Sequence, residues 1–462
     1  MHPLLARSLV CVPLLVALPV LAQQPAAPSA SAQEQAAPTP AGKLVKFVML
    51  SRHGVRSPIP KPDELDTWAD APWPKWDCDG KPCAPGQLTP RGWLLAEKMG
   101  VHYGKHLASL LPGNDCPKPN ELFFWADVDE RTQDTAWALL HGFRPSCVGP
   151  VNYFHTAQPA NDRIFHPIRA GDDRCKLDAV RAKRDIIDRA GGSLERQVEH
   201  LRNELATAQI TLRCCQTPLC AKTWSTCGQK PPPPNTCTLT ERLATCLVSR
   251  TRGKTATQVV LGGELRIAST FAEILLLEYA NGFRDEDVGW GRITRAQMTP
   301  VFRLHTAAFN LEQRTPYIAA LQGSALLRRI LLALKGEQKD EGGGRDGIAP
   351  PGAKFVAYVG HDTNIANVAG MLGLSWQQEG YQKDQTPPAG ALTFELWQTD
   401  AGARNVYVYY VAQGLDDMRH NPDAAPMRTW VPVPGCNPGS PTCSLDAFEK
   451  LVMKVRDPNC WQ

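Results

Sequence analysis

Apolar and polar positions divide the chain into three stretches. "KLVKFVML", residues 43 to 50, is a dense apolar run that reads as a buried strand, and a Trp/Pro-rich loop follows over residues 58 to 87. "LTPRGWLLAEKMGVHYGKHLASLL" has helical spacing, with Thr89 and Pro90 suited to a helix start, and "ELFFWADVDERTQDTAWALLHGF" reads as strand, turn and helix. From about residue 175 to 335 the pattern turns predominantly helical. "SLERQVEHLRNELATAQITL" places Leu194, Val198, Leu201 and Leu205 on one face, "ELRIASTFAEILLLEYANGF" ends in an Asn-Gly stop, and "ALLRRILLALKG" is a further helix. "KFVAYVGHDTNIANVAGMLGL" then returns to strand, turn and helix, and "ALTFELWQ" and "RNVYVYYVAQ" alternate as strands.

Strand-turn-helix units on both sides of a helical block predict an α/β fold: a sheet flanked by helices, with an inserted, mostly α-helical domain. The expected parts are residues 43–170 and 347–462 for the α/β catalytic domain and 171–346 for the insertion. Sites in such sheets sit at the carboxyl ends of the strands.

Ahead of this lies a leader. Arg7 precedes the apolar run "LVCVPLLVALPVLA", which ends in small residues at Ala22, so residues 1–22 read as a secretory signal cleaved near Ala22. Residues 23–42 form a Pro/Ala/Gln-rich tether expected to be disordered, and no later segment reads as a membrane span. The destination is periplasmic or secreted. Cysteine usage agrees: of 15, Cys11 lies in the leader, leaving 14, an even number suited to disulfides in an oxidising compartment. Cys214, Cys215, Cys220, Cys227, Cys237 and Cys246 cluster around "KPPPPN" and read as a stapled loop rather than a metal knuckle.

The net charge of +4, with signs mixed, argues against a nucleic-acid groove or an acidic-membrane binder, so any basic cluster that matters must be local. "HYGKH", His102 to His106, has metal-like spacing but Tyr103 where a zincin needs Glu, and reads as a half-exposed helix face. Trp68, Trp73 and Trp76 read as packing anchors.

The informative charges fall at strand ends. Arg52, His53 and Arg56 follow "FVML", Asp127 and Arg131 follow "LFFW", and His361 and Asp362 follow "FVAYVG". If these strands are parallel neighbours, the three turns share one crevice. That crevice suits a phosphate monoester: Arg52, Arg56 and Arg131 would hold the anion by paired, charge-assisted hydrogen bonds, with His361 as a further donor. A histidine among arginines resists protonation, so His53 is placed to attack phosphorus, with Asp362 placed to protonate the leaving alcohol.

"RHGVRSP", "ADVDERT" and the distant "GHDTN" resemble the histidine acid phosphatase family, the clade-two branch of the histidine phosphatase superfamily. The chain is most similar to its bacterial periplasmic phytase and acid phosphatase group, and "LTPRG", "GWGRIT", "QRTP", "QTPP" and "CSL" also have counterparts. The resemblance implies His53 as nucleophile, Arg52, Arg56, Arg131 and His361 as phosphate ligands, Asp362 as proton donor, and no metal or organic cofactor. It also implies the disulfides Cys116–Cys147, Cys175–Cys460 and Cys436–Cys443; Cys220–Cys237 and a local Cys78–Cys83 pair are further expectations.

Asp127 either holds Arg131 or meets substrate hydroxyls, Glu130 is assigned to holding Arg131, and Thr363 is a substrate contact. The expected partner is a small phosphate ester, with inositol hexakisphosphate leading, acted on by a monomer. Phytase members carry Lys and Arg around the pocket rim, where this chain has Pro60 with Lys61, Thr270 and Gln322, so a broad acid phosphatase or a glucose-1-phosphatase is the alternative. Readings from other classes are a non-catalytic phosphate-binding protein and a metallophosphatase using His361 and Asp362 as ligands.

Overall fold

Lys43–Arg52 forms strand β1, which lies between Phe355–Gly360 (β5) and Ala391–Gln398 (β6), with Leu122–Ala126 (β2) on the far side of β5. The computed structural model describes residues 38–113, 116–118, 120–147, 162–170, 174–213, 227, 245–336, 347–436 and 442–461. The leader and residues 23–37 of the tether expected before Lys43 lie outside these residues. Within the helical stretch Cys246–Arg252 (β3) and Thr255–Gly262 (β4) pair as an antiparallel hairpin. Arg404–Ala412 (β7), Met427–Trp430 (β8) and Cys443–Ser444 (β9) complete the main sheet, whose order is β2-β5-β1-β6-β7-β8, with β9 on β7. β2, β5 and β1 are parallel, and β6 onward antiparallel.

The six helices that matter most for the site and core are α1 (Pro90–His106), α2 (Glu130–Phe143), α3 (Glu264–Ala280), α4 (Pro316–Lys335), α5 (Asp362–Leu372) and α6 (Leu445–Val455). Alternation along β1 assigns its two faces. Phe47 and Met49 pack with Tyr103, Leu139 and Phe143 of α1 and α2. Val48 and Leu50 pack with Leu327, Ile330, Ile365 and Phe448 of α4, α5 and α6. A strand covered on both faces needs a nearly continuous apolar run, which is what "KFVML" supplies. Thr89 starts α1 as expected: its hydroxyl accepts the Gly92 amide at 2.9 Å.

A third core lies under residues 55–95 and the helical stretch. Trp68, Trp73 and Trp76 are buried in it, and the Trp73 indole N–H donates to the Leu65 carbonyl at 2.8 Å. The tryptophans are packing anchors.

Three expectations need correction. The expected single helix over residues 193–212 breaks at Leu201 (φ −109°, ψ 11°) into Leu194–His200 and Arg202–Leu212, because the buried Leu201 turns inward at the junction. The β3–β4 hairpin interrupts the helical block, its turn made by Gly253 at φ +62°. In line with the expectation of no membrane span, α4, though long and apolar enough to cross a membrane, packs on the sheet with most of its length buried. Its sequence reflects the core. And α4 belongs with the sheet's core, so the helical block rejoins the α/β layers before residue 346.

Cys78–Cys83, Cys116–Cys147, Cys175–Cys460 and Cys436–Cys443 are bonded, and Cys227 pairs with Cys246. Cys220 and Cys237 lie outside the described residues. On α1 the His102 and His106 rings stack, and His106 Nε2 is 2.9 Å from Glu395 Oε1, so "HYGKH" is a helix face bonded to the sheet.

Candidate active site

Register brings the three turns together. Arg52 of β1 lies opposite Gly360 of β5, and Ala126 of β2 opposite Val359. The next residues follow suit: the His53 amide donates to Gly360 O and the Asp127 amide to Val359 O, each at 2.9 Å. α2 and α5 begin where β2 and β5 end, so two helix N-termini are added to the same crevice. Gly54 is required by packing. A Cβ there would come 2.7 Å from Gly92 O of α1, and one at Gly92 would come 2.1 Å from Val55 O.

His53 is 2% exposed, and its Nδ1 lies 2.8 Å from Gly54 O. A carbonyl only accepts, so Nδ1 carries the proton and the Nε2 lone pair is left for chemistry. Burial first, and then the charges of Arg131, Arg52 and Arg56, hold the ring's pKa well below the ordinary histidine value. The imidazole is neutral even in acid.

The three arginines occupy different positions. Arg52 does not line the cleft: it is 1% exposed, Nη1 donates to Thr386 O at 2.5 Å, and Nη2 pairs with Glu273 and, at 3.2 Å, with Asp362. Arg56 and Arg131 do line it. Arg131 Nη2 donates to Asp129 Oδ2 at 2.7 Å, so Asp129 holds this arginine, whereas Glu130 instead accepts the Leu88 amide. Arg52, Arg56 and Arg131 each keep a buried Nε with no acceptor among the described residues. Arg56 and Arg131 at the cleft, with the charge of Arg52 behind them, surround one imidazole with a positive field suited to an oxyanion.

His361 donates from Nε2 to Asp127 Oδ2 at 2.7 Å, and its Nδ1 faces Arg131 Nη2 at 3.4 Å. His166 Nε2 lies 2.7 Å from the same Asp127 oxygen. Burial alone would raise the Asp127 pKa, but these two imidazoles hold it far below the usual carboxylate range. Asp127 is fully buried and its other oxygen accepts the Val128 amide, so it orients the two histidines and does not meet substrate hydroxyls. Thr363 lines the cleft, as expected of a substrate contact.

Asp362 opens α5 at the cleft edge. Burial pushes its pKa up, yet Arg52, His305 and Arg56 hold it down at about 2. Beneath it, Glu273 of α3 pairs with Arg52, approaches Arg56 at 3.7 Å, and lies 3.6 Å from His305 Nε2. The sequence reading missed Glu273, His305 and His166. One signal was available for Glu273: a carboxylate inside the apolar run "FAEILLLE" is buried only with a cation beside it, as Glu273 is, or with its proton retained, as at Glu278 in the same run. His166 and His305 carry no comparable mark.

The cleft adjoins a second hollow beside α3 and the hairpin, sharing Arg56, Arg169, Gln313 and Thr363 with it. Pro60 and Thr270 line the outer hollow and Gln322 the inner cleft, as the rim expectation had it, but Arg169, Arg250 and Arg266 are there too, so the rim is more basic than expected. Among the described residues, two groups offer metal-ligand atoms within 4.8 Å of one another: Asp127, His166 and His361, and Glu273, His305 and Asp362. Both stand among the guanidinium groups of Arg52, Arg56 and Arg131, a field that favours anions over cations.

Residues 43–217 and 276–412 match the family model of the histidine phosphatase superfamily, branch 2, and the chain belongs to that family. It is a histidine acid phosphatase, a phosphoric monoester hydrolase. It is 34% identical to phytase AppA of Escherichia coli (strain K12) over 90% of this chain and 93% of that one. It is 26% identical to the glucose-1-phosphatase of Salmonella typhimurium, over 91% and 95%. Among solved structures, the phytase of Hafnia alvei in complex with tartrate superposes with a TM-score of 0.80 at 33% identity, covering 91% of this chain and 99% of that one. The phytase from Citrobacter braakii gives 0.78 at 33%, covering 90% and 99%.

Proposed function

We propose that the chain hydrolyses phosphate monoesters through a phosphohistidine on His53, with inositol hexakisphosphate as its substrate. One observation carries the mechanism: the Nδ1 bond to Gly54 O leaves the His53 Nε2 lone pair free beside Arg56 and Arg131, whose Nε groups have no partner among the described residues. Arg56, Arg131 and His361 grip the phosphate from the cleft, and Arg52 adds charge from behind. Nε2 attacks phosphorus, the P–O ester bond breaks, and Asp362 gives its proton to the departing oxygen. Water then loses a proton to Asp362 and attacks phosphorus, the N–P bond breaks with its electron pair returning to Nε2, and orthophosphate leaves.

Asp362 is ionised in the free site, with a pKa of about 2. In acid the ester arrives as a monoanion, since the second ionisation of a phosphate monoester lies near about pH 6. Its proton passes to Asp362, whose basicity rises once the bound phosphate offsets Arg52 and Arg56. The acidic working range follows from the substrate's proton and a histidine that stays neutral.

Support for the substrate comes from the relatives: the 34% identical protein is a phytase, and so are the similar structures at 33%. The second reading is a glucose-1-phosphatase or broad acid phosphatase, supported by the 26% identical relatives. Steady-state kinetics on inositol hexakisphosphate, glucose 1-phosphate and an aryl phosphate decide. The highest kcat/KM is expected for the hexakisphosphate, and a higher value for glucose 1-phosphate sinks the phytase reading. Work in the periplasm is supported by the leader pattern and the disulfides, and a monomer suffices because one chain supplies every residue of the site.

A further inference from the structure

We infer that the cleft continues into a second anion subsite, formed by Arg250 and Arg266 with Arg169, which holds another phosphate of the molecule being hydrolysed at His53. This rests on the phosphatase reading and names what selects among its substrates. The outer hollow is lined by all three arginines. Arg250 on β3 stands across the ladder from Gln258 on β4, and Gln258 lines both the hollow and the inner cleft.

α3 gives the spacing. Arg266, Thr270 and Glu273 recur at helical intervals and all line the hollow. Glu273 holds Arg52 at the floor of the site, and Arg266 lies seven residues earlier, about 10 Å along the helix. A phosphate there is well separated from the reacting one, so the ligand is a compact scaffold bearing several phosphate groups.

Among the described residues, carboxylates offset these charges only from a distance. Among the described residues the guanidinium groups of Arg169, Arg250 and Arg266 make no side-chain hydrogen bond or ion pair. Burial and then Arg266 lower the proton affinity of Arg250, and burial and then Arg250 lower that of Arg169, against a partial opposing pull from Asp129 and Asp127, so Arg250 repels both of the others across the hollow. Glu312 is the acidic group lining it besides the catalytic-floor carboxylates Glu273 and Asp362. It is buried, with Oε1 accepting the Leu261 amide at 2.6 Å, and Glu64 adds a weaker attraction for Arg250. A phosphate would meet planar donors suited to bidentate contact and relieve that repulsion.

The test uses the double variant Arg250→Gln/Arg266→Gln, with turnover of an aryl phosphate as the readout and two competitive inhibitors as probes. For myo-inositol hexakissulfate, Ki should rise at least about tenfold, while Ki for inorganic phosphate and kcat for the aryl ester stay within about twofold. Arg250→Lys/Arg266→Lys should recover most of the loss. The single Arg250→Gln change, at an exposed position, serves if the double variant melts early. An unchanged hexakissulfate Ki, or an equal rise for inorganic phosphate, overturns the subsite. If the wild-type enzyme turns over the hexakisphosphate no better than an aryl phosphate, the substrate reading fails, and the hexakissulfate result still judges the subsite.

Discussion

Asp127 accepts the His361 Nε2 proton at 2.7 Å from a fully buried position, which fixes the tautomer and turns the other ring nitrogen towards Arg131 and the cleft. The carboxylate acts on phosphate through the imidazole. Asp127→Asn removes the anion that favours imidazolium at His361, so the pKa of His361 falls. The expected result is a loss of about 10 to 100-fold in kcat/KM, with inhibition by inorganic phosphate strongest at lower pH than in the wild type. A simple loss of folded protein would not move that pH profile.

His53 owes its neutrality to burial and to Arg131, Arg52 and Arg56. Removing a charge with Arg131→Gln raises its pKa back towards 6.5, so protonation begins to remove the nucleophile at higher pH. The acid limb of the kcat/KM profile for an aryl phosphate should move upward, beyond the general loss of phosphate affinity. An unmoved limb would mean that a group other than His53 titrates there.

Asp362 stands 3.2 Å from Arg52 at the start of α5. Asp362→Asn keeps its size but ends proton donation. Alkyl phosphates, whose alkoxides leave poorly, should lose about 10²-fold more than activated aryl phosphates. Equal losses across a leaving-group series would remove the donor role.

Glu278 of α3 is buried and accepts the Gly289 amide at 3.0 Å, and burial pushes its pKa up to about 8. An unfolded glutamate ionises near 4.5. Between these values the folded chain holds the extra proton, so stability falls as pH rises through this window. Glu278→Gln should stabilise by on the order of 3 kcal/mol at pH 7 and by almost nothing at pH 4. Thermal melts at both pH values check this, and an equal gain at both would contradict it.

What could be read from the chain follows from where the physics is local. "RHGVRSP", "ADVDERT" and "GHDTN" announced His53, Arg131, His361 and Asp362 because each motif joins an apolar run to a turn, and strand ends are where α/β sheets place function. Convergence required the β2-β5-β1 order, which no local pattern encodes. Asp127 was ambiguous because its partners, His166 and His361, lie far along the chain and reach it only through the fold. The hairpin holding Arg250 was missed because "CLVSRTRGKTATQVVLG" is half polar and sits between strong helices, with the Gly253 turn as its one sharp sign.

The covalent step is tested most directly by rapid quenching with a 32P-labelled ester at acid pH, followed by peptide mapping. The account predicts a labelled enzyme whose phosphoryl group is acid-labile and base-stable and maps to His53, and no label in His53→Ala. Label on any other residue, or a His53→Ala enzyme keeping more than about a hundredth of wild-type kcat, would contradict it.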